Sequence, residues 1–351
     1  MQSVTSLENK IITHLNFAKG FRGGERQTQL LIEELSNRGY TQQIITRNSS
    51  ELANRLEDVK NLDIIKISKP YIFNLSVVKN SSIIHAHETK AAQFCFFANL
   101  FYKIPYIITR RVDIDIKNNF FNKSIYKNSI LTVVLSSAIE KRVHNLDNTI
   151  STKIIPSCYT DFKYNENEIK KIKNRFKNKF LIGNIGALEY AKGQDIIIEV
   201  AKKFEKKYPN IEFIFLGKGK NEQEFKAISK NLNNITFEGF VDNVGDYIKC
   251  FNLFVFPTLN EGLGSILLDI MQSNVPIIAS NVGGIPDIIE NNKNGILVEP
   301  KNSDAIFKAI EKLYLDKELA NKLSTEALKN IDNFSYEMMT NRYEEIYDSI
   351  R

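Results

Sequence analysis

Short apolar runs alternate with amphipathic segments along nearly the whole chain, and after one polar break the alternation starts again. Residues 10–17, 43–46, 63–67, 82–86, 106–109 and 130–135 read as strands. Residues 25–38 carry Leu30, Leu31 and Leu35 at helical spacing and end at Gly39, the glycine expected just past a helix. Alternation of this kind predicts a parallel sheet covered by helices on both faces. Residues 163–179 break the rhythm. They are polar, with seven basic residues to two acidic, and read as a partly helical link. Strands then resume at 180–186, 211–217, 235–237, 253–256, 276–279 and 296–298. Helices are expected at 193–207, 222–231, 264–273, 285–291, 303–315 and 336–350. The prediction is an α/β chain of two Rossmann-like, doubly wound domains in tandem, 1–162 and 180–335. A length of 351 residues suits that number. Open parallel sheets bind ligands beyond the carboxyl ends of their strands, so two facing sheets would form a cleft with two active rims.

With 43% apolar and 25% charged residues, disordered and collagen-like readings are excluded. Cys95, Cys158 and Cys250 are too far apart for a disulfide framework or a thiolate zinc site. Residues 1–9 are polar and read as no secretory leader. The greasiest stretch, 95–108, is broken by Asn99, Lys103 and Pro105 and is too short to span a bilayer. A cytoplasmic protein with reduced thiols is expected. Residues 1–179 hold 28 basic and 16 acidic residues, +12, against 19 and 25, −6, for the remainder. Either the halves meet different partners, with an anionic membrane surface among them, or the lysines reflect genome bias.

The most informative run is Pro257-Thr-Leu-Asn-Glu261-Gly-Leu-Gly264-Ser265-Ile-Leu-Leu-Asp269. It follows an apolar strand and opens an amphipathic helix. Glycines there let a ligand approach the backbone, and the free N–H groups of a helix start suit a phosphate or a sugar hydroxyl. Glu261 can accept hydrogen bonds from sugar hydroxyls. Asp269, two turns along the helix, addresses another part of a long ligand. The plainer reading makes Glu261 a cap and Asp269 a solvated acid.

Together with Asn281-Val-Gly283-Gly284-Ile-Pro286-Asp287 and Asn294-Gly295-Ile-Leu-Val, this run resembles glycosyltransferase family 4. The resemblance extends to Arg22-Gly23-Gly24-Glu25, Gly186-Ala187-Leu-Glu-Tyr-Ala-Lys192-Gly193, Leu216-Gly217-Lys-Gly219 and Phe237-Glu-Gly239-Phe240-Val241. It implies the GT-B fold, with the first domain on the acceptor side and a C-terminal helix, 336–351, crossing back to it. The apolar face Met339, Tyr343, Ile346 and Tyr347 fits that crossing. It also implies that Glu261 contacts the donor sugar, that Asp269, where the family usually has Glu, contacts the ribose, and that Lys192 grips the diphosphate. Gly23, Gly24, Gly264, Ser265 and Val241 are placed with the donor. Ala187 stands where an Arg is usual, which brings Arg22, Arg110 and Arg111 into view as substitutes. Many relatives end the fifth strand in His. Here Arg110 and Arg111 stand there, and an arginine cannot serve as a base near neutral pH.

His85 and His87 end a strand and point the same way, with no third metal ligand in view, so His87 is expected to face the cleft. Asp113-Ile-Asp115 resembles the metal motif of the other glycosyltransferase fold, an assignment the two tandem halves disfavour. Residues 116–127 interleave Lys with Phe120, Phe121, Ile125 and Tyr126, and suit a membrane, an acceptor or a plain surface loop.

The expected activity is retaining transfer of a sugar from a nucleotide diphosphate to a glycan or lipid-linked saccharide in surface polysaccharide or lipopolysaccharide synthesis. The expected catalytic groups are Glu261, His87, Arg110 and Arg111, with no metal or other cofactor. A cytoplasmic enzyme, peripheral on the inner membrane face, would meet such an acceptor. The alternatives are a non-hydrolysing sugar-nucleotide epimerase and a silent nucleotide-sugar-binding subunit. No nucleic-acid partner is expected, since 163–179 is basic but carries few stacking aromatics.

Overall fold

The computed structural model describes residues 10–350. The stretch 1–9, read above as no leader, lies outside the described residues. The chain divides into two compact units, one of residues 1–158 and 334–351 and one of residues 159–333.

The first unit runs β1 (Ile11–Asn16), α1 (Gly23–Asn37), β2 (Thr41–Arg47), α2 (Glu51–Arg55), β3 (Leu62–Ile67), β4 (Ile83–Ala86), α3 (Thr89–Tyr102), β5 (Tyr106–Arg110), α4 (Phe120–Lys127), β6 (Leu131–Val134), α5 (Ser137–Leu146) and β7 (Thr152–Ile154). Among the described residues its strands form one parallel sheet in the order β3-β2-β1-β4-β5-β6-β7. The order reverses between β1 and β4, which opens a crevice beyond the carboxyl ends of those two strands. The short edge strand β7 escapes sequence reasoning because Thr152-Lys-Ile is half polar. Right-handed crossovers put α1 and α2 on one face of the sheet and α3 and α4 on the other. A 3-10 segment, Tyr71–Val78, packs beside α3.

The second unit runs α6 (Glu166–Arg175), β8 (Phe180–Ile185), α7 (Gln194–Lys207), β9 (Ile211–Leu216), α8 (Glu222–Ile228), β10 (Ile235–Gly239), α9 (Val244–Ile248), β11 (Leu253–Phe256), α10 (Ile266–Gln272), β12 (Ile277–Ser280), β13 (Ile296–Val298), α11 (Ser303–Leu315) and α12 (Lys317–Lys329). Its parallel sheet has the order β10-β9-β8-β11-β12-β13. The reversal lies between β8 and β11, so the loops 186–193 and 257–265 flank the crevice. The core joins Ile182, Phe213, Leu253 and Ile278 of the sheet to Phe204 and Ile310 of the helices.

The last helix, α13 (Tyr336–Ser349), belongs to the first unit and packs on α1. Met339, Tyr343, Ile346 and Tyr347 enter the same core as Ile12, Leu31, Leu35 and Ile107. The apolar stripe visible in the sequence is the face that returns there.

Two expectations need correction. Residues 163–179, expected as a partly helical link between the domains, do hold a helix, α6, but it is counted with the second unit and buries Ile169 and Ile172. The flanking lysines hid that apolar stripe. Residues 285–291, expected as a helix, give only a 3-10 turn at Ile285–Asp287. Asn294 Oδ1 accepts from the Glu290 N–H at 2.7 Å and Asn292 N donates to Gly295 O at 2.8 Å, so the chain turns instead of continuing.

Candidate active site

In the second unit the loop 186–193 leaves β8 and the loop 257–265 leaves β11. Their backbones are stitched together: Leu259 N donates to Ala191 O at 2.9 Å, and Thr258 Oγ1 donates to the same oxygen at 3.1 Å. Gly193, at φ +73°, lies so close to Pro257 that a Cβ would collide with the Pro257 carbonyl oxygen. From the loop after β12, Gly284 N donates to Glu261 O at 3.1 Å. Gly283, at φ +55°, presses on that same Glu261 oxygen. Only glycine combines this left-handed backbone with an approach so close.

The stitching brings Lys192 and Glu261 together. Lys192 Nζ lies 2.6 Å from Glu261 Oε2, and both side chains remain partly open to solvent. Gly264, at φ +83°, and Ser265 follow at the start of α10, and half-buried Val241 follows β10. Ala187 is exposed. Sequence reasoning passed over Lys218, although it stands inside a quoted motif. Its stem lies against Gly239, and Lys218 O accepts from Leu188 N at 3.3 Å, so it borders the loop that lacks an arginine.

Asp269 is buried in α10, and its carboxylate accepts from the backbone N–H of Thr160 at 2.5 Å. Gln272, one turn on, donates to Asp161 Oδ1 at 2.9 Å. Helix α10 thereby grips residues 160–161 in the same unit.

In the first unit the candidates separate by strand alternation. Arg110 is buried and donates to Ile114 O and to Tyr126 Oη, the latter at 3.2 Å, on the α4 side. Arg111 goes to the opposite side. Its Cδ packs under Gly24, at the start of α1, and its buried Nε has no partner among the described residues. Burial works against the charge of this guanidinium and holds its pKa below the usual arginine value. A buried cation beneath the first N–H groups of a 15-residue helix is suited to an anion. Arg22 is exposed, with its backbone N–H on Glu25 Oε2 at 2.9 Å. Asp113 and Asp115 both close on Arg142, at 2.7 and 2.9 Å. The Asp-x-Asp pair therefore serves as an ion-pair clamp.

The histidines require a correction. A third one, His14, joins His85 and His87, because β1 pairs with β4 in a register that sets His14 beside His85. All three rings are buried. Their bonds follow one polarity. The Gln42 oxygen can only accept, so His14 Nε2 donates to it at 3.1 Å. His14 Nδ1 then accepts from His87 Nε2 at 2.9 Å, which leaves His87 Nδ1 facing Arg111 Nη2 at 3.5 Å. His85 is held between Tyr347 Oη and Thr109 Oγ1, each at 2.7 Å. Burial lowers the His14 pKa to about 4, against a smaller raising effect of Gln42. Burial, then the neighbouring imidazoles and Arg111, hold His87 well below its usual value. The ring nitrogens are thus spent on one another and on the fold, as a chain ending at Arg111; with ligand atoms within 4.8 Å of one another, the three rings are also the group among the described residues that could hold a metal ion. The separation of His14 from His85 in sequence hid the trio.

The family described as Glycosyl transferases group 1 matches residues 165–330, nearly the whole second unit. The second unit is thus similar to the group 1 glycosyl transferases. Staphylococcus aureus CapM, a capsular polysaccharide biosynthesis glycosyltransferase, is 27% identical over 198 residues, 54% of this chain and 52% of CapM. CapH of the same organism and description is 28% identical over 290 residues, 76% of this chain and 80% of CapH. The chain spans about half the length of the first curated relatives it matches, 46%, 52% and 54%. Among solved structures, Anabaena Alr3699/HepE in complex with UDP-glucose has a TM-score of 0.86 at 17% identity, covering 97% of this chain and 99% of that one. That likeness establishes the GT-B fold for this chain. In it, the glycine-stitched loops and the Lys192–Glu261 pair fall inside the matched segment.

Proposed function

We propose that the protein is a retaining glycosyltransferase that moves a hexose, an N-acetylhexosamine or a similar sugar from a nucleotide diphosphate to a glycan or lipid-linked saccharide. The observation that carries this reading is the Lys192–Glu261 pair at the reversal point of the second sheet, on loops that glycines lock together. The capsular relatives and the UDP-glucose complex of Alr3699/HepE support the substrate class. Retention follows from the family resemblance.

In this reading the bond between the anomeric carbon and the diphosphate oxygen breaks, and its electron pair leaves with the diphosphate. The acceptor hydroxyl bonds to the same carbon and passes its proton to the departing diphosphate. Lys192, aided by Lys218, stabilises the charge on the departing diphosphate, a contribution largest in the transition state. Glu261 is drawn to the oxocarbenium-like sugar. Arg111 and the Gly23–Gly24 start of α1 hold an anionic part of a substrate. These cations supply charge stabilisation without a divalent ion.

The test is incubation with labelled nucleotide sugars, with and without lipid-linked saccharides, in EDTA. Nucleoside diphosphate release that requires both substrates is expected. Donor interconversion without acceptor would replace this reading by an epimerase, and binding without turnover by a silent subunit. Activity that returns only with Mn²⁺ would remove the metal-free part.

A further inference from the structure

The helical layer formed by the 3-10 segment Tyr71–Val78, α3 and α4 leaves its large apolar side chains in water. Phe73 is 82% exposed, Phe120 87% and Phe101 64%, and Leu100, Tyr102 and Phe121 join them. Two contacts tie the three segments together. Lys79 lies over the Tyr102 ring at 5.4 Å, and Phe121 packs edge-on to Phe96 with centroids 5.9 Å apart. Helix α3, Thr89–Tyr102, is apolar nearly all the way round, a composition suited to a helix covered on both sides. The sheet covers only one side. Exposed apolar surface concentrated in one place marks an interaction site.

Charge identifies the occupant. Residues 64–139 contain ten lysines and arginines but only three acids, Glu88, Asp113 and Asp115. Each acid is engaged. Glu88 caps α3 by accepting from Lys90 N and Ala91 N, both at 2.7 Å, and the two aspartates hold Arg142. Exposed Lys69, Lys79, Lys103 and Lys117 are therefore an uncompensated basic collar around exposed aromatic rings. No helix among the described residues is long and apolar enough to cross a membrane. Insertable rings inside a cationic rim match the surface of an anionic bilayer, where aromatic side chains settle at headgroup depth and lysines meet lipid phosphates.

We infer that this face of the first unit docks on anionic lipid bilayers. The inference deepens the reading of a lipid-linked acceptor, on which its biological sense rests. The experiment contains no sugar substrate, so the two fail independently.

The intact protein is sedimented with vesicles of phosphatidylglycerol in phosphatidylcholine and with phosphatidylcholine alone, at low and high salt. Binding to the anionic vesicles alone, weakened by salt, is expected. Phe73→Ser with Phe120→Ser, and separately Lys103→Glu with Lys117→Glu, should each lower it at least about tenfold, since each basic residue near such a surface contributes about fivefold. Thermal unfolding should stay unchanged, because these side chains are solvated. Leu315→Ser, an exposed apolar residue of the second unit, should bind as the unsubstituted chain does. Equal sedimentation with both vesicle types, or no effect of either double substitution, overturns the inference. A dimer in size-exclusion that Phe73→Ser with Phe120→Ser dissociates, with vesicle binding intact, assigns the face to a second copy instead.

Discussion

Lys192 Nζ sits 2.6 Å from Glu261 Oε2, although 69 positions separate the two residues and they leave different strands of the second sheet. Each partner neutralises the other while the site holds no substrate. In the proposed reaction, a diphosphate draws the ammonium toward itself and frees the carboxylate to face a sugar that gains positive charge.

This relationship separates the two side chains experimentally. Lys192→Ala should weaken nucleoside diphosphate binding about tenfold to a hundredfold, the worth of a charged hydrogen bond, with nucleoside binding unchanged. Glu261→Gln should leave donor affinity nearly intact while turnover collapses. Calorimetry and initial rates decide it. Equal losses for diphosphate and nucleoside would place Lys192 away from the phosphates.

Asp269 makes a different prediction because its carboxylate holds Thr160. Asp269→Ala leaves a partly buried backbone N–H without this acceptor, and should cost on the order of 1 kcal/mol of stability, read as a lower Tm of the full chain. Asp269→Glu should lower it too, since the longer side chain must refit a buried position. An unchanged Tm with a raised donor KM would assign this acid to the ribose, as the family resemblance implies.

The glycine contacts predict a sharp contrast. Gly193→Ala and Gly283→Ala meet a backbone oxygen with a Cβ at positive φ, and each should lower Tm by several degrees and reduce activity. Gly20→Ala, where a Cβ meets nothing within 4 Å, should leave both unchanged. A tolerated Gly283→Ala would mean that the Glu261 loop is free to move.

Acid should unfold the first unit through its histidines. The His14 pKa falls from 6.5 to about 4 on folding, so the unfolded chain binds the proton more readily. The stability linked to His14 is fully present above about pH 6.5 and is lost as pH falls through about 4, in total roughly 3 kcal/mol. His85 and His87 shift in the same direction. Tm should therefore drop steeply between pH 6.5 and 4, and His14→Gln should flatten that slope. A Tm independent of pH over this range would show that the rings titrate as in water.

Both sheets were legible in the sequence, because a buried parallel strand must be a short apolar run and the helix between two such strands must be amphipathic. The turns around Glu261 and Lys192 were legible from their glycines, although what excludes a side chain at Gly193 and Gly283 is the backbone of a neighbouring loop. What no local pattern carried was the choice among neighbours made by strand register and side-chain alternation. Register set His14 beside His85 across 71 residues and made a buried chain of imidazoles out of a simple His-x-His pair. Alternation sent Arg110 to Tyr126 and Arg111 to Gly24, although the sequence presents them as twins. Helix α10 turned Asp269 toward Thr160, at a spacing from Glu261 that a sequence reader assigns to ligand. Composition and period determine which elements form and which face of each is apolar. Which polar group meets which is decided only when distant segments pack, because a buried carboxylate, imidazole or guanidinium takes whatever partner the completed fold brings within hydrogen-bond reach.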